Sequence, residues 1–145
     1  MTDLLVIGGG LHGLSAALQS ARRGTTVRLV ERHFLGSHAS GATAAGVRTL
    51  GRSIAELPLS LEAAADWLRM EDLVGDSCGF VACGQLRVAE DEKALEAIED
   101  RVHGLRQLGY THEQVISADE VRELLPGVSG HCLGGAWVAG DGSAA

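Results

Sequence analysis

The chain has 145 residues, of which 46% are hydrophobic, and its formal net charge at pH 7 is −7. This excess of acidic groups disfavours nucleic acid and anionic membranes as partners, because both are polyanions. No apolar run reaches the roughly 18 residues that a membrane-spanning helix requires, and apolar strand sequence begins so early that no signal peptide is expected. We therefore expect a cytoplasmic protein without a membrane span.

The first predicted elements are a strand and the glycine-rich turn that follows it. Leu4–Ile7 is a continuous apolar run, which is typical of a parallel strand covered on both faces. It leads into the spacing G-x-G-x-x-G at Gly8, Gly10 and Gly13. The first glycine permits a sharp turn, the second lets the backbone approach a diphosphate, and the third lets the next helix pack on the sheet. The pattern predicts a dinucleotide-binding βαβ unit.

A helix and a second strand complete this predicted unit. From Leu11 the apolar residues recur at helical spacing, and Gly24 is placed to end the helix in a left-handed conformation. Thr25–Val30 indicates the second strand, and Glu31 follows it, 23 positions after Gly8. A carboxylate there can accept hydrogen bonds from both ribose hydroxyls and would repel the 2′-phosphate of NADP. The alternative is a glycine-rich turn without function, since the chain contains 20 glycines.

Two segments of the chain resemble FAD-dependent oxidoreductases of the D-amino-acid-oxidase type, a superfamily that includes glycine oxidase, sarcosine oxidase and the flavin subunits of proline dehydrogenases. The first is V-I-G-G-G-L-H-G-L-S-A-A with V-E-R, and the second is G-S-H-A-S-G-A-T-A-A-G-V-R over residues 36–48. In the family, the second segment crosses FAD near its pyrophosphate and flavin. Later motifs, among them G-A-W-V-A-G-D-G, follow the family's order of elements, so the resemblance covers the whole chain.

The resemblance implies an α/β fold, with a Rossmann-like FAD-binding βαβ unit followed by the beginning of an α+β substrate domain. We assign the βαβ unit and the flavin-contacting loop to residues 1–50, and the helical segment with the start of the substrate domain to residues 51–145. The chain is interpreted as the N-terminal part of a longer enzyme, because one βαβ unit is a fraction of a nucleotide-binding sheet. The remainder of the enzyme or a partner subunit would complete that sheet. The chain alone is expected to be inactive, and insoluble, poorly ordered or paired.

The cofactor implied by the resemblance is FAD, held noncovalently. Some relatives attach it through a Trp-His pair inserted in the second segment, whereas this chain runs from Thr43 directly into Ala44 and Ala45. His38 is interpreted as a loop histidine near the cofactor and not as an attachment site. The residues assigned to FAD binding lie in the glycine turn, after the second strand and in the second segment: Gly8, Gly10, Leu11, His12, Gly13, Glu31, Arg32, Ser37, Ser40, Thr43, Ala44 and Gly46.

The activity implied by the resemblance is oxidation of the C–N bond of a small amino acid or secondary amine, by hydride transfer to the flavin. Arg48 is the candidate catalytic residue, because the resemblance places it near the isoalloxazine, where a guanidinium could stabilise the reduced ring or hold a substrate carboxylate. The alternative is an arginine that only braces its loop. Two other functions stay open: a noncatalytic nucleotide-binding remnant or split subunit that docks on a partner chain, and an NAD-dependent dehydrogenase, in which residues 36–46 would have no obvious role.

The sequence beyond residue 50 predicts three helices and two short strands. Two helices are marked by apolar residues at helical spacing: Leu57, Leu61, Ala64 and Leu68 in the first, and Leu95, Ile98, Val102 and Leu105 in the second. Phe80–Ala82 and Gln85–Ala89 indicate short strands, which form either a hairpin or one strand kinked at Gly84. Ser117 and Glu120 form an S-x-x-E capping box that opens the third helix.

The cysteines and histidines give no metal pattern. The three cysteines, Cys78, Cys83 and Cys132, are odd in number and lack metal-ligand spacing, so they are expected to be reduced thiols that pack in the interior. The six histidines form no i,i+4 pair with a glutamate between them, and neither zinc nor another metal is expected. Trp67 and Trp137 are expected to be packing residues.

Overall fold

The computed structural model describes residues 1–42 and 44–144, which form two compact units, Met1–Ala44 and Ala45–Ala145. Each unit has its own strands and helices, and each is described by itself below.

The first unit is a βαβ unit with two parallel strands. It consists of β1 (Leu4–Ile7), α1 (Leu11–Arg22) and β2 (Val27–Val30). The strands pair in register from Leu4 with Val27 to Ile7 with Val30. Gly24, at φ +84°, follows the helix and donates its N–H to the Ala21 carbonyl at 2.9 Å. The predicted strand, helix and glycine cap are therefore confirmed, although the second strand begins at Val27 instead of Thr25.

One face of this two-stranded sheet is covered and the other is open. The side chains of Leu4 and Val6 are half-buried on the face that α1 covers. On the opposite face, Leu5 is 54% exposed and Ile7 is 81% exposed. The apolar run of β1 predicts cover on both faces, and within the described residues that cover is present on one face. Within the described residues, the second face of this sheet is therefore an exposed apolar surface.

The second unit contains two antiparallel sheets and four α-helices. Its strands are β3 (Gly46–Val47), β4 (Phe80–Val81), β5 (Gln85–Ala89), β6 (Gln114–Ser117), β7 (Gly134–Val138) and β8 (Gly142–Ala144). Its helices are α2 (Leu57–Leu68), α3 (Met70–Val74), α4 (Glu92–Gln107) and α5 (Ala118–Leu124), and a 3₁₀ turn covers Ile54–Glu56. In the larger sheet β7 lies between β5 and β6, and in the smaller one β8 lies between β3 and β4.

Helix α4 supplies much of the core of this unit. Ile98, Val102 and Leu105 are almost completely buried, as their spacing predicts. The charged residues of the opposite face are exposed: Glu92, Lys93, Glu96, Glu99 and Asp100. Asp91 caps the helix by accepting the Ala94 N–H at 2.7 Å. Since each fully buried aliphatic side chain contributes about 1.5–3 kcal/mol, this stripe is a main source of stability for the second unit.

The predicted hairpin between residues 80 and 89 is wrong. Strand β4 pairs with β8 and β5 pairs with β7, so the two strands belong to different sheets. Between them the chain bends at Gly84, which has φ +77° and donates its N–H to the Asp141 carbonyl at 2.7 Å. A Cβ at this position would collide with the Trp137 ring. The backbone therefore bends at the glycine, as the kink alternative predicts, but β4 and β5 are two separate strands and not one continuous strand.

The other local predictions are mostly confirmed. Ser117 and Glu120 form the reciprocal capping box at the start of α5. The predicted α2 is present, but its last apolar residue, Leu68, is 58% exposed. The expectation of interior thiols is confirmed for Cys132 and wrong for the other two cysteines, Cys78 and Cys83, which are exposed because they lie outside the core, in the segments before and after β4.

The two tryptophans pack as predicted. The Trp67 ring lies 5.7 Å from the Phe80 ring, centroid to centroid. The half-buried Trp137 packs against the cluster of Ile116, Val121 and Cys132. Both indoles therefore contribute apolar contact in the second unit.

Candidate functional site

The glycine turn lies at the carboxyl end of β1, where α1 begins. Gly8 adopts φ +107°, a conformation that favours glycine, and its N–H donates to the Val30 carbonyl at 2.9 Å. Gly10 is the N-cap of α1, and its carbonyl accepts the Leu14 N–H at 2.9 Å. The N–H groups of residues 11–13 therefore have no carbonyl acceptor within the helix and point towards the turn.

Steric contacts explain the other two glycines. A Cβ at Gly13 would collide with the carbonyl oxygen of Gly8, so only glycine lets the helix approach the strand this closely. A Cβ at Gly10 would lie 2.8 Å from the Ser40 hydroxyl oxygen. That hydroxyl accepts the Leu11 N–H at 3.0 Å, which brings Ser40 to the rim of the turn. The turn is thus an open cradle of backbone N–H groups. A side chain on Gly10 or Gly13 would collide with the atoms that form it.

The charge of the first unit suits an anion in this cradle. The positive end of the α1 dipole faces the turn, and residues 11–14 include no acidic side chain. In the whole unit four arginines face two acidic residues, Asp3 and Glu31, although the chain as a whole is acidic. The residues present therefore fit a diphosphate group.

Glu31 is held in a fixed orientation at the end of β2. One carboxylate oxygen accepts the Gly9 N–H at 2.7 Å, and the other accepts the His33 N–H at 2.9 Å. The hydrogen bond from Gly9 and then that from His33 hold the pKa of the Glu31 carboxyl below its ordinary value. Each oxygen of an ionised carboxylate keeps a further lone pair. Glu31 can therefore accept two more hydrogen bonds, as a ribose with two hydroxyls would donate.

A pocket of about 340 Å³ lies beside Glu31. Its lining consists of Ile7, Gly8, Val30, Glu31 and Arg32. The pocket lies at the carboxyl ends of two parallel strands, where open α/β sheets bind their ligands. Apolar side chains from β1 and β2 combined with one carboxylate suit a flat base joined to a hydroxylated sugar.

The other residues of the first unit that were assigned to the cofactor lie in α1 or in the segment that follows β2. The Arg32 Nε donates to the His33 Nε2 at 3.1 Å. The rings of His33 and His38 lie 5.1 Å apart, with His38 at φ +59°. His12 and Ala44 are exposed, and Ser37 is half-buried. Thr43 lies outside the described residues.

Two of the assigned residues belong to the second unit. Gly46 lies in β3 and pairs with Ser143 of β8. Arg48 follows β3 with an exposed side chain, and its carbonyl accepts the Arg52 Nε at 3.3 Å.

Sequence reasoning did not assign Gly9 or Asp141. Gly9 is buried, and a Cβ there would lie 2.5 Å from a methyl carbon of Leu35 and 3.2 Å from the Glu31 Cβ. Its position in the middle of the G-G-G run is the sequence feature that could have pointed to Gly9. Asp141 is completely buried under residues 49–50. The sequence pattern that could have pointed to Asp141 is G-D-G at residues 140–142, after β7. This pattern alone does not predict which residues donate to the aspartate.

Metal and membrane sites receive no support from the residues described. Among them, no group of three or more His, Cys, Asp or Glu side chains could hold a metal ion. Within the same residues, no helix combines the length and apolarity needed to cross a membrane.

Comparison with known proteins finds one family model and several individual proteins that are similar to this chain. Residues 3–145 match the model of the DAO family, described as FAD dependent oxidoreductase. Aklavinone 12-hydroxylase DnrF of Streptomyces peucetius is 54% identical over 126 residues, which cover 86% of this chain and 22% of that protein. Glycine oxidase of Geobacillus kaustophilus (strain HTA426) is 28% identical over 150 residues, which cover 97% of this chain and 39% of that protein.

The fold is similar to that of a solved oxidase. The structure of glycine oxidase from Bacillus cereus ATCC 14579 matches with a TM-score of 0.77 and 27% identity, over 99% of this chain and 40% of that chain. The chain therefore spans between 22% and 40% of the length of these proteins.

Proposed function

Because the chain belongs to the DAO family of FAD-dependent oxidoreductases, we propose that it supplies the FAD-binding N-terminal part of an enzyme that oxidises the C–N bond of an amino acid or secondary amine. The observation that carries the FAD-binding part of the proposal is the joint placement of the glycine cradle and the oriented Glu31 carboxylate at one edge of the β1–β2 pair. The similarity to glycine oxidase supports the choice of a C–N bond.

Noncovalent binding of FAD follows from the groups available in the first unit. The N–H groups at the start of α1 that have no acceptor within the helix would bind the diphosphate, and Glu31 would accept hydrogen bonds from the ribose. The pocket beside Ile7 and Val30 would hold the adenine. The chain runs from Thr43 to Ala44 without the inserted Trp-His pair to which some relatives attach the flavin. This cofactor is therefore expected to leave the protein on denaturation.

Arg48 is the residue of this chain that we assign to the reaction. When bound, the flavin supplies the hydride acceptor. The exposed guanidinium of Arg48 would hold a substrate carboxylate with two parallel hydrogen bonds, or stabilise negative charge. Groups that bind the substrate amine are expected in the remainder of the enzyme.

Hydroxylation is a second candidate function. It is favoured by the higher identity of this chain to aklavinone 12-hydroxylase than to glycine oxidase. The two reactions differ in their source of electrons. Amine oxidation takes two electrons from the substrate itself, whereas insertion of one oxygen atom from O₂ needs two electrons from an external reductant.

Anaerobic reduction of the full-length holoprotein separates these functions. We expect glycine, sarcosine or proline to bleach the flavin absorbance without any other reductant. If a nicotinamide cofactor bleaches the flavin and a wide panel of amines does not, the C–N oxidation proposal is wrong and hydroxylation is favoured. If no reductant acts on bound FAD except dithionite, the protein is a noncatalytic FAD-binding subunit.

A further inference from the structure

The segment of residues 49–52, directly after Arg48, is held by two buried carboxylates. Asp141, in the turn between β7 and β8, accepts the Thr49 N–H on both oxygens at 2.8 and 2.9 Å. It also accepts the Thr49 hydroxyl at 2.7 Å and the Leu50 N–H at 2.8 Å. Asp141 and Thr49 are at most 2% exposed. Asp141 therefore fixes two consecutive backbone amides of this segment.

The second carboxylate continues the same pattern one residue further along. Glu113, just before β6, accepts the Gly51 N–H at 2.9 Å. Arg101 of α4 forms a two-point ion pair with Glu113, at 2.7 and 2.9 Å, and donates to the Arg52 carbonyl at 2.7 Å. Burial by itself raises the pKa of Glu113, but the bonds from Arg101 and Gly51 outweigh it and the pKa is lowered. Glu113 thus stays ionised to accept these bonds.

The two buried carboxylates need hydrogen-bond donors, and the segment itself supplies several of them. Ionised carboxylates are seldom fully buried, because removing them from water is costly unless donors satisfy them. Here the donors at Asp141 are the segment's own N–H and O–H groups. Charge-assisted hydrogen bonds of this kind are short and strong. They hold the backbone on one side of Arg48, while pairing of β3 with β8 holds it on the other.

We propose that Asp141 and Glu113 are positioning residues that fix residues 49–52 and thereby hold Arg48 in the place from which it acts. This inference rests on the proposed role of Arg48 and extends it, because it assigns the geometry of that arginine to carboxylates from distant parts of the chain. A loosely held segment would let the exposed guanidinium sample many positions, and misplacement of about 1 Å can cost a large part of a reaction rate.

Amide hydrogen exchange tests the fixing of the segment without any activity measurement. In the full-length protein we expect Thr49→Val, which removes one donor to Asp141, and Asp141→Asn to speed exchange of the Thr49 and Leu50 amides at least tenfold. Exchange in α4 should stay unchanged, and Thr49→Ser, which keeps the hydroxyl, should restore protection. Asp119→Asn, the same substitution on the exposed surface of α5, is the matched control. Unchanged exchange at residues 49–50 in both test variants would overturn the proposal.

A double-variant experiment tests whether Asp141 and Glu113 act through Arg48. Asp141→Asn and Glu113→Gln should each slow flavin reduction at least fivefold at saturating substrate, with FAD content retained. In an Arg48→Ala background the same substitutions should have no further effect. Equal slowing in both backgrounds overturns the positioning role but leaves the role of Arg48 intact. If Arg48→Ala alone leaves reduction unchanged, the proposed function of Arg48 fails and the positioning role fails with it.

Discussion

The two units of this chain achieve their expected roles by opposite means. In Met1–Ala44 the candidate ligands are mostly backbone N–H groups exposed by glycines, and β1 leaves Leu5 and Ile7 exposed. In Ala45–Ala145 the apolar side chains form buried clusters, and buried carboxylates order the segment after Arg48. A nucleotide cradle can be specified by local sequence without a core, whereas a fixed side-chain position needs partners that only a folded core brings together.

We expect the second unit to have a much higher local stability than the first unit. In the soluble fraction of the 145-residue chain, we expect amides of α4 and β7 to exchange with solvent roughly 10³-fold more slowly than those of β1 and α1, equivalent to about 4 kcal/mol. The physical reason is that, among the described residues, the buried apolar side chains all lie from Leu50 onward. Hydrogen exchange read by mass spectrometry gives both values in one experiment. Equal protection of the two units would contradict the comparison.

A substitution at Gly13 tests whether FAD binding depends on the close approach of α1 to the turn at Gly8. In the full-length protein, Gly13→Ala places a methyl group against the Gly8 carbonyl, which no change of rotamer can relieve. We expect the overpacking to cost about 3 kcal/mol or more of the free energy of FAD binding, because it distorts the turn that holds the cofactor. This cost corresponds to at least ~100-fold weaker FAD binding. Titration of the apoprotein with FAD measures this affinity.

Gly104 provides the matched control for that substitution. It lies inside α4, and an added Cβ would have no heavy atom within 4 Å. Gly104→Ala should leave FAD affinity unchanged and should stabilise the second unit by about 0.5–1 kcal/mol, because alanine favours the helix. If both substitutions weaken FAD binding equally, the effect is not specific to the cradle.

Local patterns predicted the first unit well because its geometry depends on neighbours in sequence. The turn at Gly8 and the helix from Leu11 follow from residue types a few positions apart. The pairing of β4 with β8 could not be predicted in this way, since it depends on which distant strand is available. The same holds for Asp141, whose partners Thr49 and Leu50 lie more than 90 positions away.

Glu31 offers a smaller test within the first unit. Glu31→Ala removes a charged acceptor for the ribose hydroxyls, and we expect FAD affinity to fall about tenfold to a hundredfold. Because Glu31 also accepts the Gly9 N–H, Glu31→Gln is the matched variant that keeps one acceptor oxygen. It should fall between the wild type and Glu31→Ala. Unchanged affinity in Glu31→Ala would place the ribose elsewhere.

The pH dependence of FAD binding provides a further expectation for the same residue. Since hydrogen bonds lower the pKa of Glu31 in the folded protein, its charge is fully present at pH values above its ordinary pKa of 4.5. The contribution of Glu31 to affinity should be lost only as the pH falls through the lowered value. A difference between wild type and Glu31→Gln that disappears already near pH 6 would contradict this assignment.

A substitution at Arg48, in the second unit, is expected to have the smallest effect of those described, and that effect is on the rate of flavin reduction. Arg48→Lys keeps the positive charge but loses the planar pair of donors. The rate of flavin reduction should therefore fall by a larger factor than the amount of bound FAD per chain. Stopped-flow reduction by substrate, normalised to bound flavin, measures this directly. A rate within about twofold of wild type, a change below ~0.5 kcal/mol in the barrier, would make Arg48 a residue that only braces its loop.

The most direct test of the central claim, that the first unit holds FAD noncovalently, is acid precipitation of the purified full-length protein. We expect a yellow supernatant whose flavin has the mass of FAD, at close to one per chain, and a colourless pellet. A yellow pellet would show covalent attachment, and a protein that carries no flavin and binds none when FAD is added would contradict the assignment of the glycine turn and Glu31 to the cofactor.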